Sequence, residues 1–181
     1  KLATCNALSC TVFTTVLLLT QPAVPCFCLM KGYFMKKPNI VLICSDQHRY
    51  DCIGINSIKG VKTPNLDKIA KEGVNFKHAF TPCPVCTPSR VSMLTSQWSF
   101  NHGLVTIPEW TELKLPDWTS NHISFTKILK ENGYSLAHIG KWHSCSTAFK
   151  NENPSPIDVG FDEFTPESNY YRYCIENGIN S

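Results

Sequence analysis

Apolar residues along this chain fall into short blocks separated by Pro, Gly and polar turns. Residues 39–44 (Asn-Ile-Val-Leu-Ile-Cys) run without alternation up to Ser45-Asp46. Such a block predicts a strand buried on both faces of a mostly parallel sheet. Ligands in open α/β sheets gather at the carboxyl ends of such strands, where Asp46 and Gln47 would stand. Thr63-Pro64 predicts a helix through residue 71, with Thr63 as N-cap, Pro64 at the first helical position and Gly73 as the stop. Its apolar stripe is Leu66, Ile69 and Ala70. Residues 74–80 predict a second short strand, and Pro82 and Pro84 then interrupt the chain. Thr87 as N-cap and Pro88 at the first position predict a helix to about residue 96. Residues 98–120 read as a loop rich in Pro, Trp and polar side chains. Ser124 caps the next helix, with Phe125, Ile128 and Leu129 inward and Gly133 at its end. Residues 134–139 predict a third strand ending at Gly140-Lys141, and residues 151–156 a loop. No internal repeat is present, and the stretch from Glu167 carries little pattern.

A length of 181 residues suffices for one domain with a real core. A formal charge of +3, with no basic run carrying interleaved aromatics, gives no footprint for nucleic acid. Twelve Pro and few charges favour a loop-rich body over a helical bundle. The ten Cys are irregularly spaced and do not form the framework of a small disulfide scaffold. Cys83 and Cys86 make a C-x-x-C, the pattern of a zinc half-site or a redox pair. Zinc would need a second pair, and His143 with Cys145 offers no second C-x-x-C.

Residues 1–35 differ from the rest, with Lys1 and Lys31 but no acidic residue. Residues 12–20 are apolar, shorter than the roughly 20 residues needed to span a bilayer, so no membrane span is expected. Two readings stand for this segment: a partial secretory leader, or sequence upstream of a start at Met35. The first implies a secreted, periplasmic or lysosomal protein and the second a cytoplasmic one. The recognisable domain then covers residues 36–181.

Four motifs appear in order. Lys37-Pro38-Asn39-Ile40-Val41-Leu42-Ile43-Cys44-Ser45-Asp46-Gln47 comes first, then Thr63-Pro64-Asn65-Leu66-Asp67, then Cys86-Thr87-Pro88-Ser89-Arg90, then Gly140-Lys141-Trp142-His143. Cys-x-Pro-x-Arg resembles the signature by which sulfatases mark one Cys for conversion to formylglycine. With the other three, the chain resembles the N-terminal part of a type I sulfatase of the alkaline phosphatase-like superfamily, from about residue 36 to about residue 164. Gly160-Phe161-Asp162-Glu163-Phe164 resembles a segment that commonly follows in that family. The resemblance implies an α/β fold, a sandwich with a mostly parallel central sheet flanked by helices, incomplete in this chain.

It also implies a chemistry. A separate formylglycine-generating enzyme would oxidise Cys86 to an aldehyde, which hydrates to a gem-diol. One hydroxyl attacks sulfur and displaces the alcohol, and loss of the second hydroxyl's proton then ejects sulfate. A helix start at Cys86 favours anions there. Arg90, one turn on, would steady the diolate. Lys141 would neutralise sulfate oxygens, and His143 would hydrogen-bond the nucleophile or move a proton. If both lie in a strand-like segment, residues two apart face one side. Asp46, Gln47 and the group derived from Cys86 would hold a hard cation, Ca²⁺ or alternatively Mg²⁺ or Mn²⁺.

The chain also departs from the family pattern. The second metal position is Gln47 where many members carry Asp, a start shared with choline-sulfatase-like and phosphonate-hydrolase-like branches. After the Cys motif, Leu94-Thr95-Ser96-Gln97 replaces the common Leu-Thr-Gly-Arg. Nothing after His143 supplies the later metal and sulfate ligands, so an inactive N-terminal fragment is expected. The expected substrate is a sulfated small molecule or carbohydrate, with Trp98, Trp110 and Trp118 as candidate sugar-stacking rings. Two alternatives are a phosphonate monoester or phosphodiester hydrolase of the same superfamily, and an inactive truncated remnant. His48, Arg49 and His102 carry no assigned role, and Asn65 and Asp67 read as polar residues of a helix start.

Overall fold

The computed structural model describes the backbone of residues 15–19 and residues 37–57, 60–112, 114–144 and 154–179. The expected leader, Cys145 and the first half of the loop at 151–156 lie outside these, apart from the strand at 15–19. The chain divides into two compact units, residues 1–78 and 79–181.

In the first unit, strand β1 (Thr15–Leu19) pairs antiparallel with β2 (Ile40–Cys44), with Leu17 opposite Leu42. The block at 39–44 is therefore a strand, but not one buried on both faces: Val41, Leu42 and Ile43 are exposed. Its pairing is antiparallel within a two-stranded sheet. Two single 3₁₀ turns follow, at Tyr50–Cys52 and Gly54–Asn56. Helix α1 (Pro64–Glu72) has Pro64 in its first turn and Gly73 as C-cap. Leu66, Ile69 and Ala70 are half-buried along one face. Thr63 sits at the N-cap position without capping through its side chain. Its hydroxyl instead accepts the Gly54 N–H (2.7 Å) and donates to Asp67 Oδ1 (2.9 Å), and that same oxygen accepts the Ile55 N–H at 2.9 Å. Thr63 and Asp67 thus clamp the 3₁₀ turn onto the helix, which is more than helix-start polarity. Residues 74–78 are not a strand, and neither are 79 and 80, which begin the second unit. Val74, Phe76 and Phe80 are exposed, because an apolar run without a hydrogen-bonded neighbour has no sheet to join.

The second unit is built around helix α2 (Cys86–Thr95). It starts two residues earlier than Pro88 suggests, with Val85 as N-cap, so Thr87 is not the cap. A proline anywhere in the first turn sacrifices no intrahelical bond, since those N–H groups have no helical acceptor. Residues 98–120 are not all loop. They hold the short helix α3 (Ser99–His102) and 3₁₀ turns at Pro108–Trp110 and Trp118–Ser120. Helix α4 (Phe125–Glu131) starts as expected, the Ser124 hydroxyl accepting the Lys127 N–H at 3.4 Å. Phe125 packs against the core and Leu129 is half-buried, whereas Ile128 is exposed. Strand β3 is confined to Ala137–Ile139 and pairs in parallel with β4 (Glu163–Thr165), His138 opposite Phe164. Helix α5 (Glu167–Glu176) follows, burying Cys174.

The core comprises Val91, Leu94, Leu104, Leu115, Trp118, Trp142, Val159 and Phe161. Both indoles find acceptors, as buried indoles usually do. Trp118 Nε1 donates to the Ser144 carbonyl and Trp142 Nε1 to the Pro154 carbonyl, each at 2.8 Å. Trp118 is thus a core residue and not an exposed sugar-stacking ring, while Trp98 and Trp110 are exposed. Gly160 adopts φ 106° where the chain passes α4, and a Cβ there would lie 3.1 Å from the Lys127 backbone. At this crossing the Val159 carbonyl accepts the Ser124 (3.0 Å) and Thr126 (2.6 Å) hydroxyls.

Candidate active site

Helix α2 is polar in sequence and yet buries eight of its ten residues. Burying polar side chains is costly unless each is bonded. Ser89 Oγ meets Thr81 Oγ1 at 2.7 Å, and Thr81 also donates to the Cys83 carbonyl at 3.0 Å. Thr95 Oγ1 donates to the Val91 carbonyl at 2.7 Å. Ser92 Oγ meets His102 Nε2 at 2.9 Å. His102 Nδ1 accepts the Leu104 N–H at 3.2 Å, so the neutral ring carries its proton on Nε2. Burial holds the pKa of His102 below the usual imidazole value, and nearby His122 adds to this. The Thr87 hydroxyl is buried without a partner. The helix is thus a rigid platform, and half-buried Cys86 is its first residue. Cys83 and Cys86 are both free thiols. No group of three or more His, Cys, Asp or Glu side chains gathers around them among the described residues.

Arg90 lies four residues after Cys86 and so on the same helix face. It is buried, and its Nη1 donates to the carbonyl oxygen of Lys141 at 2.8 Å. This bond joins helix α2 to the Gly140-Lys141-Trp142-His143 motif. His138 Nε2 reaches the same oxygen at 3.3 Å. Lys141 and His143 do not continue a strand. Gly140, at φ 100°, turns the chain after β3, so strand alternation does not orient these two side chains. His143 is half-buried and itself left-handed, with φ 44°.

Asp46 and Gln47 follow β2 in the first unit, and both are exposed. Gln47 also has positive φ, 53°. Among the described residues only Gln47, Ser96 and His143 have positive φ without being Gly. Two of the three are candidate site residues, which is notable because backbone strain collects at functional sites. Beside them His48 is held by Ser45 Oγ on Nδ1 and donates from Nε2 to the Cys52 carbonyl, both at 3.1 Å. Arg49 forms a forked pair with Asp51 at 3.0 and 2.6 Å. His48 and Arg49 thus brace the loop after the strand. Asp46 and Gln47 offer one carboxylate and one amide oxygen, donors that fit a hard cation better than zinc.

The family described as "Sulfatase" matches residues 38–181. The chain belongs to the sulfatase family. It is 40% identical over 126 residues to the "Ulvan-active sulfatase" of Formosa agariphila, a match covering 70% of this chain and 23% of that protein. It is 34% identical over 137 residues to human "Arylsulfatase D", covering 71% and 23%. It is 41% identical over 107 residues to the "Arylsulfatase" of Clostridium perfringens, covering 59% and 21%. The chain thus spans under a quarter of the length of these relatives. The α/β class of the alkaline phosphatase-like superfamily is in place in this sulfatase segment, as helices around a small parallel sheet. Among the described residues no helix is long and apolar enough to cross a membrane.

His138 and the Ser92–His102 pair were not singled out as part of the site by the sequence. The only signal for His138 is its place two residues before Gly140. The signal for the pair is a Ser and a His ten residues apart, on either side of a helix end.

Proposed function

We propose that the protein hydrolyses sulfate esters with a formylglycine nucleophile made from Cys86 by a formylglycine-generating enzyme. The observation that carries this reading is the Cys86 helix itself, a buried polar platform whose Arg90 is bonded to the backbone of the Lys141 motif. Helix N-terminal N–H groups favour an anion at Cys86. Arg90 steadies charge on the hydrated aldehyde, Lys141 faces the sulfonyl oxygens, and His143 holds or moves a proton at the nucleophile. One hydroxyl forms an O–S bond as the ester S–O bond breaks. The second hydroxyl then gives up its proton, the carbon–oxygen bond to sulfate breaks, and water rehydrates the aldehyde. Asp46 and Gln47 would contribute a carboxylate and an amide oxygen to Ca²⁺, or to Mg²⁺ or Mn²⁺ in its place. When bound, that cation supplies positive charge that favours an ionised hydroxyl.

The substrate class we propose is a sulfated carbohydrate or small molecule, with the exposed Trp98 and Trp110 available to stack on rings. Peptide mass spectrometry across Cys86, on the intact protein from its native source, tests the nucleophile. A formylglycine mass supports the reading, whereas a thiol in a host that makes the modification defeats it. Gln47, in place of a second carboxylate, also suits a phosphonate monoester or phosphodiester hydrolase. Turnover of an aryl sulfate against an aryl phosphonate separates the two.

A further inference from the structure

Within strand β3, two residues before the motif, stands a histidine with no role so far. The His138 ring is enclosed by Trp142 (centroids 5.3 Å, 79°), Phe161 (5.3 Å, 62°) and Phe164 (5.6 Å, 37°). Three aromatic neighbours from two segments leave the imidazole little rotational freedom. Its Nε2 lies 3.3 Å from the Lys141 carbonyl oxygen, an atom that can only accept, so Nε2 carries the proton. That oxygen has two lone pairs, and Arg90 Nη1 occupies the other direction at 2.8 Å. Where the chain leaves β3, therefore, one carbonyl is fixed from two sides: by helix α2 through Arg90 and by the sheet through His138.

We infer that His138 is a positioning residue, which fixes the Lys141 carbonyl together with Arg90 and so sets where residues 141–143 stand against the Cys86 helix. A carbonyl held by Arg90 alone could pivot about a single bond, carrying Lys141 and left-handed His143 with it. Misplacement of catalytic groups by about 1 Å costs on the order of a hundredfold in rate. Burial pushes the pKa of His138 below its usual value, the Lys141 bond opposes that shift, and Arg90 reinforces it, so the ring serves as a neutral donor at pH 7. This inference rests on the sulfatase reading for the reaction it serves, and its test separates the two.

Two variants of the intact protein decide it. His138→Phe keeps an aromatic ring in the cage without a donor, and His138→Gln places an amide N–H near the position of Nε2. With a chromogenic aryl sulfate, His138→Phe is expected to lower kcat by tenfold to a hundredfold at nearly constant KM. His138→Gln is expected to recover kcat to within a few fold of wild type. Equal kcat for Phe and wild type, or no difference between Phe and Gln, overturns the inference. The His143 ring signals in the NMR spectrum give a second readout, independent of turnover. They should move in His138→Phe and stay in place in His138→Gln, and unmoved signals in both also overturn it. Wild-type protein inactive on every sulfate ester, with the His143 signals behaving as expected, defeats the sulfatase reading and leaves the positioning of the segment standing.

Discussion

Arg90 Nη1 and the carbonyl oxygen of Lys141, 51 residues apart in the chain, are hydrogen-bonded at 2.8 Å. One end of this bond is a buried guanidinium on helix α2, the other the backbone of the segment that ends in His143. A lysine at position 90 keeps the charge, but it is a flexible point donor and cannot reproduce the planar fork. Arg90→Lys and Arg90→Ala are therefore both expected to lower kcat/KM on an aryl sulfate by about a hundredfold or more. Both should also lower the thermal midpoint, since alanine removes and lysine loosens a donor to this part-buried carbonyl. Near-complete rescue by lysine would show that charge at position 90 matters and this bond does not.

In the first unit Asp67 Oδ1 accepts from both Thr63 Oγ1 and the Ile55 N–H. Hydrogen bonds to a charged acceptor contribute about 1.5–3 kcal/mol, less where water competes. Asp67→Ala is expected to cost about 1–2 kcal/mol by chemical denaturation and to speed amide exchange at Ile55. Unchanged exchange at Ile55 would show that the clamp does not hold the turn.

How much of this was legible in the sequence depends on how local the cause is. Pro64 and Gly73 act within one turn of the helix they bound, and Ser124 within three residues of its cap bond, so these elements were read correctly. Val41, Leu42 and Ile43 are as apolar as any buried strand, but what covers them depends on distant partners, and here they are exposed. Residues 74–80 failed for the same reason. Pro88 misled because proline is as harmless at the third helical position as at the first. The four motifs placed the candidate site residues in order along the chain. They could not show that Arg90 points to a backbone oxygen, nor that His138 shares it, since both facts arise from the packing of α2 against the turn after β3.

Ser96 shows what one departure from the family pattern does locally. It follows α2 as C-cap at φ 56°, ψ 27°, a left-handed conformation that glycine adopts without the Cβ penalty. The Gly common in the family at this place fits that geometry. Ser96→Gly should therefore stabilise the protein by about 0.5–1 kcal/mol, less than the full left-handed penalty because glycine loses more entropy on folding. The check is the denaturant midpoint of the variant, and a lower midpoint would show that the Ser96 side chain contributes more than its backbone costs.

Stability should also depend on pH in two separate windows. His102 and His138 both have folded pKa values lowered chiefly by burial, so the unfolded chain binds more protons than the native one once pH falls toward 6.5. Their contribution is fully present above the unfolded value and is lost as pH falls through it toward the folded values. Asp158 and Asp162 are lowered too, Asp158 by the Ser155 hydroxyl and backbone and Asp162 by Lys130 and the Leu136 N–H. Their contribution is present above the unfolded value of 3.8 and is lost only as pH drops below it. Both carboxylates are largely exposed, so this second loss should be shallow and sensitive to salt. The thermal midpoint is expected to decline as pH falls below 6.5 and to decline again as pH drops below 3.8. Because Gln does not titrate, His138→Gln should flatten the first decline and leave the second intact. A first decline of wild-type size in that variant would assign the whole window to His102, whose ring is locked between Ser92 and the Leu104 amide.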